Sequence, residues 1–171
     1  MKLNNLIFTA LAGFSIILTG CQNNDENEQH YDNKLFISAS NFTKEILFKA
    51  GDTNVETGLS VAIAKPEEHD IKVTMSPAPE LLPTYKQAYY DETAVLLSEE
   101  HYSMPETSTT IKSGSIVSPE LPIEFINTGE LDIKTTYVLP VTIKSVEGID
   151  VLQSAKTYYY VFRGASLINV V

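Results

Sequence analysis

Apolar and polar residues alternate along most of the chain from Leu35 onward. Successive side chains of a β-strand point to opposite faces, so this period of two predicts strands with one buried face. The alternation is clearest in five runs: 59–63, 71–75, 121–125, 137–143 and 158–162. Turn-forming residues separate these runs, at 51–52, 66–68, 127–129 and 147–148. About seven to nine short strands with closely spaced turns indicate an all-β fold, an immunoglobulin-like β-sandwich, in which residues 35–171 form a single domain.

Two features modify this alternating pattern. Residues 79–90 change to a helical period, which places four residues on one face: Leu81, Tyr85, Ala88 and Tyr89. We expect one short helix there that bridges the two sheets, with Pro83 tolerated in its first turn. Pro140 lies inside the strand predicted for 137–143 and removes a backbone donor, so that strand should lie at a sheet edge or carry a bulge.

The first twenty residues have the pattern of an export signal. One base, Lys2, precedes a mostly apolar run at 6–18, which is shorter than the roughly 20 residues of a membrane-spanning helix. The run leads into a segment that resembles the bacterial lipobox: Leu18, Thr19, Gly20 and Cys21. We therefore predict a lipoprotein signal peptide at 1–20 and a lipidated Cys21. The alternative is an ordinary signal peptide with an incidental cysteine, but Cys21 is the only cysteine and can form no internal disulfide.

The segment 21–34 is expected to tether the domain to the lipid. Residues 22–29 are wholly polar, which predicts a solvated spacer. Its acidic residues resemble the short signal that directs Bacteroidetes lipoproteins to the outer face of the outer membrane. We therefore expect a lipid-anchored outer-membrane protein that faces the cell exterior, with a flexible spacer in a periplasm-facing lipoprotein as the alternative.

The charge balance excludes one class of partner. The chain has 12 Lys and Arg against 22 Asp and Glu, a net charge of −10. Proteins that bind nucleic acid without sequence preference need a basic surface to displace counterions, so we expect no nucleic-acid partner.

Motifs for catalysis and for cofactors are missing from the sequence. It contains no G-x-S-x-G elbow and no phosphate-binding glycine loop. Its three histidines are far apart and lack metal-ligand spacing. The segment 51–56 offers oxygen ligands for calcium but lacks the D-x-D-x-D-G spacing, which favours a plain hairpin turn. We expect no enzyme activity, no cofactor and no metal.

Tyrosines are the remaining candidates for binding. Sugar rings stack their apolar faces on exposed aromatic rings, and the chain has nine Tyr but no Trp. The candidate glycan-binding residues are Tyr85, Tyr89, Tyr90 and Tyr159. Tyr158 and Tyr160 share a face with Phe162 and are expected in the core, so Tyr159 should point outward unless both faces are covered. The alternative for all of these rings is ordinary core and sheet packing.

The order of several short segments resembles a known family. The segments are 71–75, Pro79, H-Y-S-M-P at 101–105, T-I-x-x-G at 110–114, Y-x-L-P-x-x-I at 137–143, and Tyr158 to Tyr160. Over residues 31–163 this order resembles a domain of unknown function of Bacteroidetes lipoproteins, family number 1735. That domain often precedes family-18 glycoside hydrolases or laminin-G-like modules. The resemblance implies an immunoglobulin-like sandwich at the cell surface, and it implies no catalytic residues because catalysis belongs to the neighbouring module.

Two functions of different classes follow. The first is a non-catalytic cell-surface lipoprotein, a binding or spacer module of a glycan-utilisation system. Its partners would be the membrane, through the lipid anchor, and a glycan or other surface proteins of that system. The alternative is a structural subunit of a fimbria-like surface assembly, which would use the apolar end at 165–171 for strand addition.

Overall fold

The computed structural model of the chain describes residues 32–39, 41–49, 51 and 54–165. These residues all lie within one compact unit that begins at Asp32. The predicted signal peptide, the lipobox with Cys21 and the apolar end after Ala165 lie outside the described residues.

Twelve strands and one α-helix make up the described fold. The strands are β1 (Lys34–Ile37), β2 (Thr43–Phe48), β3 (Val55–Leu59), β4 (Val61–Ala62), β5 (Ile71–Pro77), β6 (Val95–Leu96), β7 (Tyr102–Ser103), β8 (Ser108–Ile111), β9 (Leu121–Phe125), β10 (Tyr137–Val146), β11 (Asp150–Val151) and β12 (Thr157–Gly164). The helix is α1 (Leu82–Tyr89), and 3₁₀ turns cover Pro79–Leu81, Glu99–His101, Thr128–Glu130 and Gln153–Ala155. Eight of these strands have four or more residues, in agreement with the seven to nine predicted.

The strands form one large sheet and two small ones. The large sheet has the order β2-β12-β10-β5-β8, with β6 also paired to β10. Its pairs are antiparallel except for β2 beside β12 and β6 beside β10, which are parallel. The small sheets have the orders β3-β9-β7 and β11-β1-β4. The predicted all-β immunoglobulin-like sandwich is confirmed.

Alternate residues from all three sheets meet in one core. Buried side chains at every second position include Ile71, Val73 and Met75 of β5, Leu121, Ile123 and Phe125 of β9, and Tyr158, Tyr160 and Phe162 of β12. Phe125 packs edge-on against Tyr160 and Phe162, with ring centroids 5.2 and 4.6 Å away. The inward positions predicted from the alternation are therefore the core positions, and Tyr158 and Tyr160 are core residues as expected.

The domain begins earlier than the predicted boundary at residue 35. β1 starts at Lys34, which lies in the segment predicted as the tether. The Asn33 side chain donates to the carbonyl of Lys65 at 2.7 Å, and its oxygen accepts from the backbone N–H groups of Ala64 and Lys65. The polar side chain of Asn33 therefore joins the folded domain instead of the solvated spacer.

Pro140 lies in a central strand, so of the two predicted alternatives, an edge strand or a bulge, the edge strand does not apply. β10 pairs with β12 along one side, and on its other side it pairs with β6 at 137–138 and with β5 from Val141 onward. The Pro140 carbonyl accepts from the N–H of Ala78, so its nitrogen faces the gap between β6 and β5. No ladder donor is needed in that gap, which is why proline is tolerated. The predicted bulge does occur, but between Ile143 and Ser145.

Helix α1 lies on the outer face of the large sheet and does not bridge the two sheets as predicted. Its buried Tyr85 packs with Val138 of β10 and with Tyr159 and Val161 of β12. These residues of β10 and β12 point away from the main core, so both faces of the large sheet are covered here. None of the described helices combines the length and the apolar character required to cross a bilayer.

Candidate functional site

The four candidate tyrosines divide into two buried and two accessible rings. Tyr85 is 2% exposed and Tyr159 is 7% exposed, whereas Tyr89 is 41% and Tyr90 is 93% exposed. A ring without accessible faces cannot stack on a sugar, so we do not assign the stacking to Tyr85 and Tyr159. Tyr159 does point to the outer face of its sheet, but helix α1 covers that face. Binding by Tyr89 and Tyr90 remains a prediction.

Tyr85, Tyr89 and Tyr159 form a cluster of rings in which Tyr85 and Tyr89 are stacked and Tyr159 is inclined to both. The Tyr85 and Tyr89 ring centroids are 4.8 Å apart, and their planes meet at 29°. Tyr159 lies 5.3 Å from Tyr85 and 6.0 Å from Tyr89. Tyr89 follows Tyr85 by one helical turn, which places both rings on the same side of α1. The two buried rings therefore hold Tyr89 in a defined orientation at the surface.

Arg163 borders this cluster and joins three elements. It lies on the outer face of β12, two positions after Val161, and its Nε is 3.3 Å from Glu45 Oε1 of β2. Its Nη2 is 3.5 Å from Asp91 Oδ2, just after α1, and the Asp91 side chain is only 14% exposed. The Thr93 hydroxyl donates to the other oxygen of Asp91 at 3.0 Å. The guanidinium is thus fixed between two carboxylates.

The tyrosine hydroxyls beside Arg163 stay protonated at neutral pH. Burial raises the pKa of Tyr85, although a hydrogen bond between its side chain and Arg163 opposes the rise. Burial also raises the pKa of Tyr89. Neutral phenols can both donate and accept hydrogen bonds. The cluster therefore combines a carbon-rich ring surface with hydroxyl groups at its rim.

A shallow depression of about 160 Å³ lies between these groups. It is lined by Thr43, Glu45, Tyr85, Tyr89, Val161 and Arg163. Sites for drug-sized ligands have about 300–1,000 Å³, so this depression has room for only one unit of a longer ligand. An aromatic wall opposite hydroxyl, carboxylate and guanidinium groups suits the apolar face and the hydroxyl edge of a sugar ring.

Tyr90 ends the helix in a left-handed conformation. Its φ is 54° and its ψ is 35°, and both its N–H and that of Asp91 donate to the carbonyl of Lys86. Glycine is the usual residue at this position because it has no Cβ to clash. The conformation ends the helix and directs the chain to Asp91, and the Tyr90 ring is almost wholly in solvent.

A larger depression than the one beside Arg163 lies elsewhere among the described residues. It has about 500 Å³ and lies on the outer face of the sheet formed by β3 and β9. Glu56, Glu120 and Glu124 line it, with Gly58 and Pro122 among the remaining residues. Glu56 and Glu124 are cross-strand partners, and Asn54 donates to Glu124 at 2.7 Å. It contains no aromatic side chain, so we do not assign the predicted stacking to it.

Histidines and acidic residues form no metal centre in the part of the chain that the structure describes. No group of three or more potential metal ligands comes together there. His101 Nδ1 lies 3.2 Å from the Ile126 carbonyl, and His69 packs over the position where Gly148 lacks a Cβ. Asp52 and Thr53 of the segment considered for calcium are outside the described residues. The contacts of both described histidines are therefore with the protein's own backbone and side chains, and not with a cluster of metal ligands.

Sequence reasoning missed the polar half of the depression. Arg163 follows Tyr159 and Val161 at every second position of β12, so its side chain points to the same outer face. This alternation could have predicted the position of Arg163 from the sequence. The parallel pairing of β2 with β12 places Thr43 beside Tyr159 and Glu45 beside Val161, so β2 contributes to the same face. That pairing joins segments more than 100 residues apart and has no local signature in the sequence.

Together, the fold and this site define a β-sandwich module with a surface aromatic depression. A family model for an N-terminal domain matches residues 31–150. The chain therefore belongs to this family of N-terminal domains, and the predicted relationship to domain-of-unknown-function family 1735 is confirmed. No curated protein matches the chain.

Solved structures of Bacteroides proteins share the fold. A protein of Bacteroides ovatus provisionally assigned to carbohydrate binding has a TM-score of 0.67 at 18% identity, over 76% of this chain and 36% of that one. EndoBT-3987 of Bacteroides thetaiotaomicron, in complex with a Man5GlcNAc product, has a TM-score of 0.63 at 18% identity, over 76% and 30%. A multidomain Bacteroides ovatus protein that includes DUF1735 has a TM-score of 0.54 at 21% identity, over 77% and 43%. The chain thus matches less than half the length of each of these structures.

Proposed function

We propose that this protein is a non-catalytic glycan-binding module, which holds one sugar unit against Tyr89 and Tyr90 beside Arg163. The observation that carries the proposal is the packed orientation of Tyr89. Tyr85 and Tyr159 support its ring from within, while 41% of the residue stays accessible next to fixed hydrogen-bonding groups. A ring that is already ordered loses little conformational entropy when a ligand stacks on it.

The structural relatives support a role in glycan handling. One of them is provisionally assigned to carbohydrate binding, and another was solved with an oligosaccharide product. The site also suits binding better than catalysis. Its Glu45 and Asp91 both contact Arg163, so neither carboxylate is free to act as the paired acid and base that glycoside hydrolysis requires.

Affinity gels containing neutral polysaccharides test the proposal. We expect the purified protein to be retarded by at least one of laminarin, mannan and xyloglucan, and a Tyr89→Ala/Tyr90→Ala variant to lose that retardation. Loss of one stacked ring costs about 1 kcal/mol, roughly fivefold in affinity, and the double loss correspondingly more. Ile116→Ala is the control, because Ile116 is an exposed apolar residue that does not line the depression. Binding that survives the double substitution would contradict the site, and no retardation by any glycan would leave only a spacer role.

We propose in addition that Cys21 anchors the protein to the outer membrane by lipid, with the domain facing the cell exterior. The support is the lipobox from Leu18 to Cys21 and the acidic tether that follows. Two acyl chains give stable anchoring without a membrane-spanning segment. Labelled palmitate should enter the protein but not a Cys21→Ser variant, and protease added to intact cells should remove the domain. Protection of the domain until the outer membrane is opened would contradict the outward orientation.

A structural subunit remains the second candidate, favoured by the edge of the large sheet. β2 is the last strand in the sheet order, and its Leu47 is exposed. An open edge can accept a strand from another chain. Light scattering distinguishes the two roles: we expect a monomer for a binding module, whereas polymers that are broken by a proline at Glu45 would support the assembly role.

A further inference from the structure

The charges around the depression bear on which sugars it accepts. Arg163 is the only basic residue among the residues that line it. Its guanidinium already contacts Glu45 and Asp91, so the three side chains together carry one net negative charge. The ammonium of Lys86, the basic residue of α1, donates a hydrogen bond to the Glu92 carbonyl at 3.0 Å. Lys44 of β2 donates to the Thr57 hydroxyl at 2.6 Å, away from this face.

We propose that this site selects neutral sugar units and discriminates against acidic ones, an inference that rests on the proposed glycan-binding function. A uronate or sulfate group that approached Arg163 would lie beside Glu45 and Asp91, so its charge would be repelled by two carboxylates that already share one guanidinium. If it displaced Asp91, it would leave a mostly buried carboxylate without its cation, which is strongly unfavourable. If it displaced Glu45, two negative groups would compete for one guanidinium.

Neutral hydroxyl groups meet none of these costs. The guanidinium has five N–H donors, and its contacts with the two carboxylates leave others for a ligand. The exposed Glu45 carboxylate and the Thr43 hydroxyl offer acceptors on the same face. A neutral hexose can therefore bond to this rim without breaking the ion pairs, while its apolar face rests on Tyr89.

Binding to matched neutral and acidic polysaccharides tests the inference. The neutral probes are laminarin, mannan and xyloglucan, and the acidic probes are polygalacturonate, alginate and chondroitin sulfate. We expect stronger retardation by a neutral probe than by any acidic probe, dependent on Tyr89 and Tyr90. Binding to an acidic probe through the same tyrosines that equals or exceeds the neutral binding would overturn the selectivity while the glycan-binding function stands. No binding to either class would overturn both.

A Glu45→Gln variant tests the physical cause. Removal of this carboxylate frees part of the guanidinium, so affinity for polygalacturonate should rise about two- to fivefold, the strength of one exposed ion pair, and the gain should disappear at high salt. Glu56→Gln is the matched control, because it makes the same charge change on β3, in the other depression. Equal gains in both variants would show a general charge effect and would overturn the local role of Arg163.

Discussion

Tyr90 combines an unfavourable backbone with an exposed ring. A left-handed conformation costs a residue with a Cβ about 1–2 kcal/mol. The Tyr90 side chain is 93% exposed, so it recovers little of this by burial. Strained positions of this kind gather at binding sites, where the fold holds a side chain ready for a ligand. The strained backbone and the exposed ring are the reasons to include Tyr90 in the proposed site.

Replacement of Tyr90 by glycine should separate stability from binding. Glycine removes the left-handed strain but loses about 0.5–1 kcal/mol more chain entropy on folding, so the free energy of unfolding should rise by up to about 1 kcal/mol. Retardation in affinity gels should weaken at the same time, and Tyr90→Phe should preserve it. Urea denaturation and gels on the same preparations provide both measurements. A stabilised Tyr90→Gly variant with full binding would remove Tyr90 from the site.

Helix α1 depends on Tyr85 for its position on the sheet. Tyr85 is the buried residue of this eight-residue helix and packs on Val138, Tyr159 and Val161. Isolated helices of this length are unstable in water, so packing and not intrinsic propensity maintains the helix. The ring also supports Tyr89 from below, which makes one side chain responsible for both the helix and the binding surface.

Two substitutions at Tyr85 should distinguish support from ligand contact. Tyr85→Ala should lower the free energy of unfolding by about 3–5 kcal/mol and abolish binding, because it removes a buried aromatic ring. Tyr85→Phe keeps the ring and loses only the hydroxyl beside Arg163, so it should cost about 1 kcal/mol and preserve binding. These effects are measured by urea denaturation and by affinity gels. A folded Tyr85→Phe variant without binding would show that the hydroxyl contacts the ligand directly.

Across the sandwich, tyrosines whose pKa is raised by burial make the stability of the fold decrease at alkaline pH. Burial raises the pKa of six tyrosines: Tyr85, Tyr89, Tyr102, Tyr158, Tyr159 and Tyr160. The effect is largest at Tyr160, where burial acts first and the neighbouring Tyr158 adds to it. Among the residues that the structure describes, the buried Tyr160 hydroxyl has no hydrogen-bond partner, and the nearby Thr57 side chain offsets only part of the rise in pKa. The folded state therefore favours the neutral phenols.

The stability contributed by these tyrosines should be lost above about pH 10. A group whose pKa is raised by folding stabilises the fold fully below its unfolded pKa, here near 10, and that contribution falls as the pH rises through the folded value. The free energy of unfolding, measured in urea at increasing pH, should therefore decline steeply at alkaline pH. Tyr160→Phe should remove much of the decline, because the rise in pKa on folding is largest for this hydroxyl. An unaltered decline in Tyr160→Phe would contradict the role of its buried hydroxyl.

The local patterns in the sequence were sufficient for strands β5, β9, β10 and β12 and for their inward faces. Ile71, Val73 and Met75 alternate with polar neighbours, and they lie in the core because the pleat of a strand sends every second side chain to the same face. Such alternation predicts which residues each strand buries, but it does not predict which other strands lie beside it in the sheet. Pro140 shows the difference, since its strand is central and the missing donor faces a gap between two partner strands.

The site required information that the alternation does not contain. The pattern at 158–162 correctly sends Tyr159 away from Tyr160, but only the packing of α1 makes that outer face a second interior. In the same way, Arg163 meets Asp91 and Glu45 because β12 lies between β2 and the end of α1. Side-chain direction is a local property of the backbone and can be predicted from the sequence. Coverage and ion pairing depend on elements brought together from distant parts of the chain, so they became visible only in the folded structure.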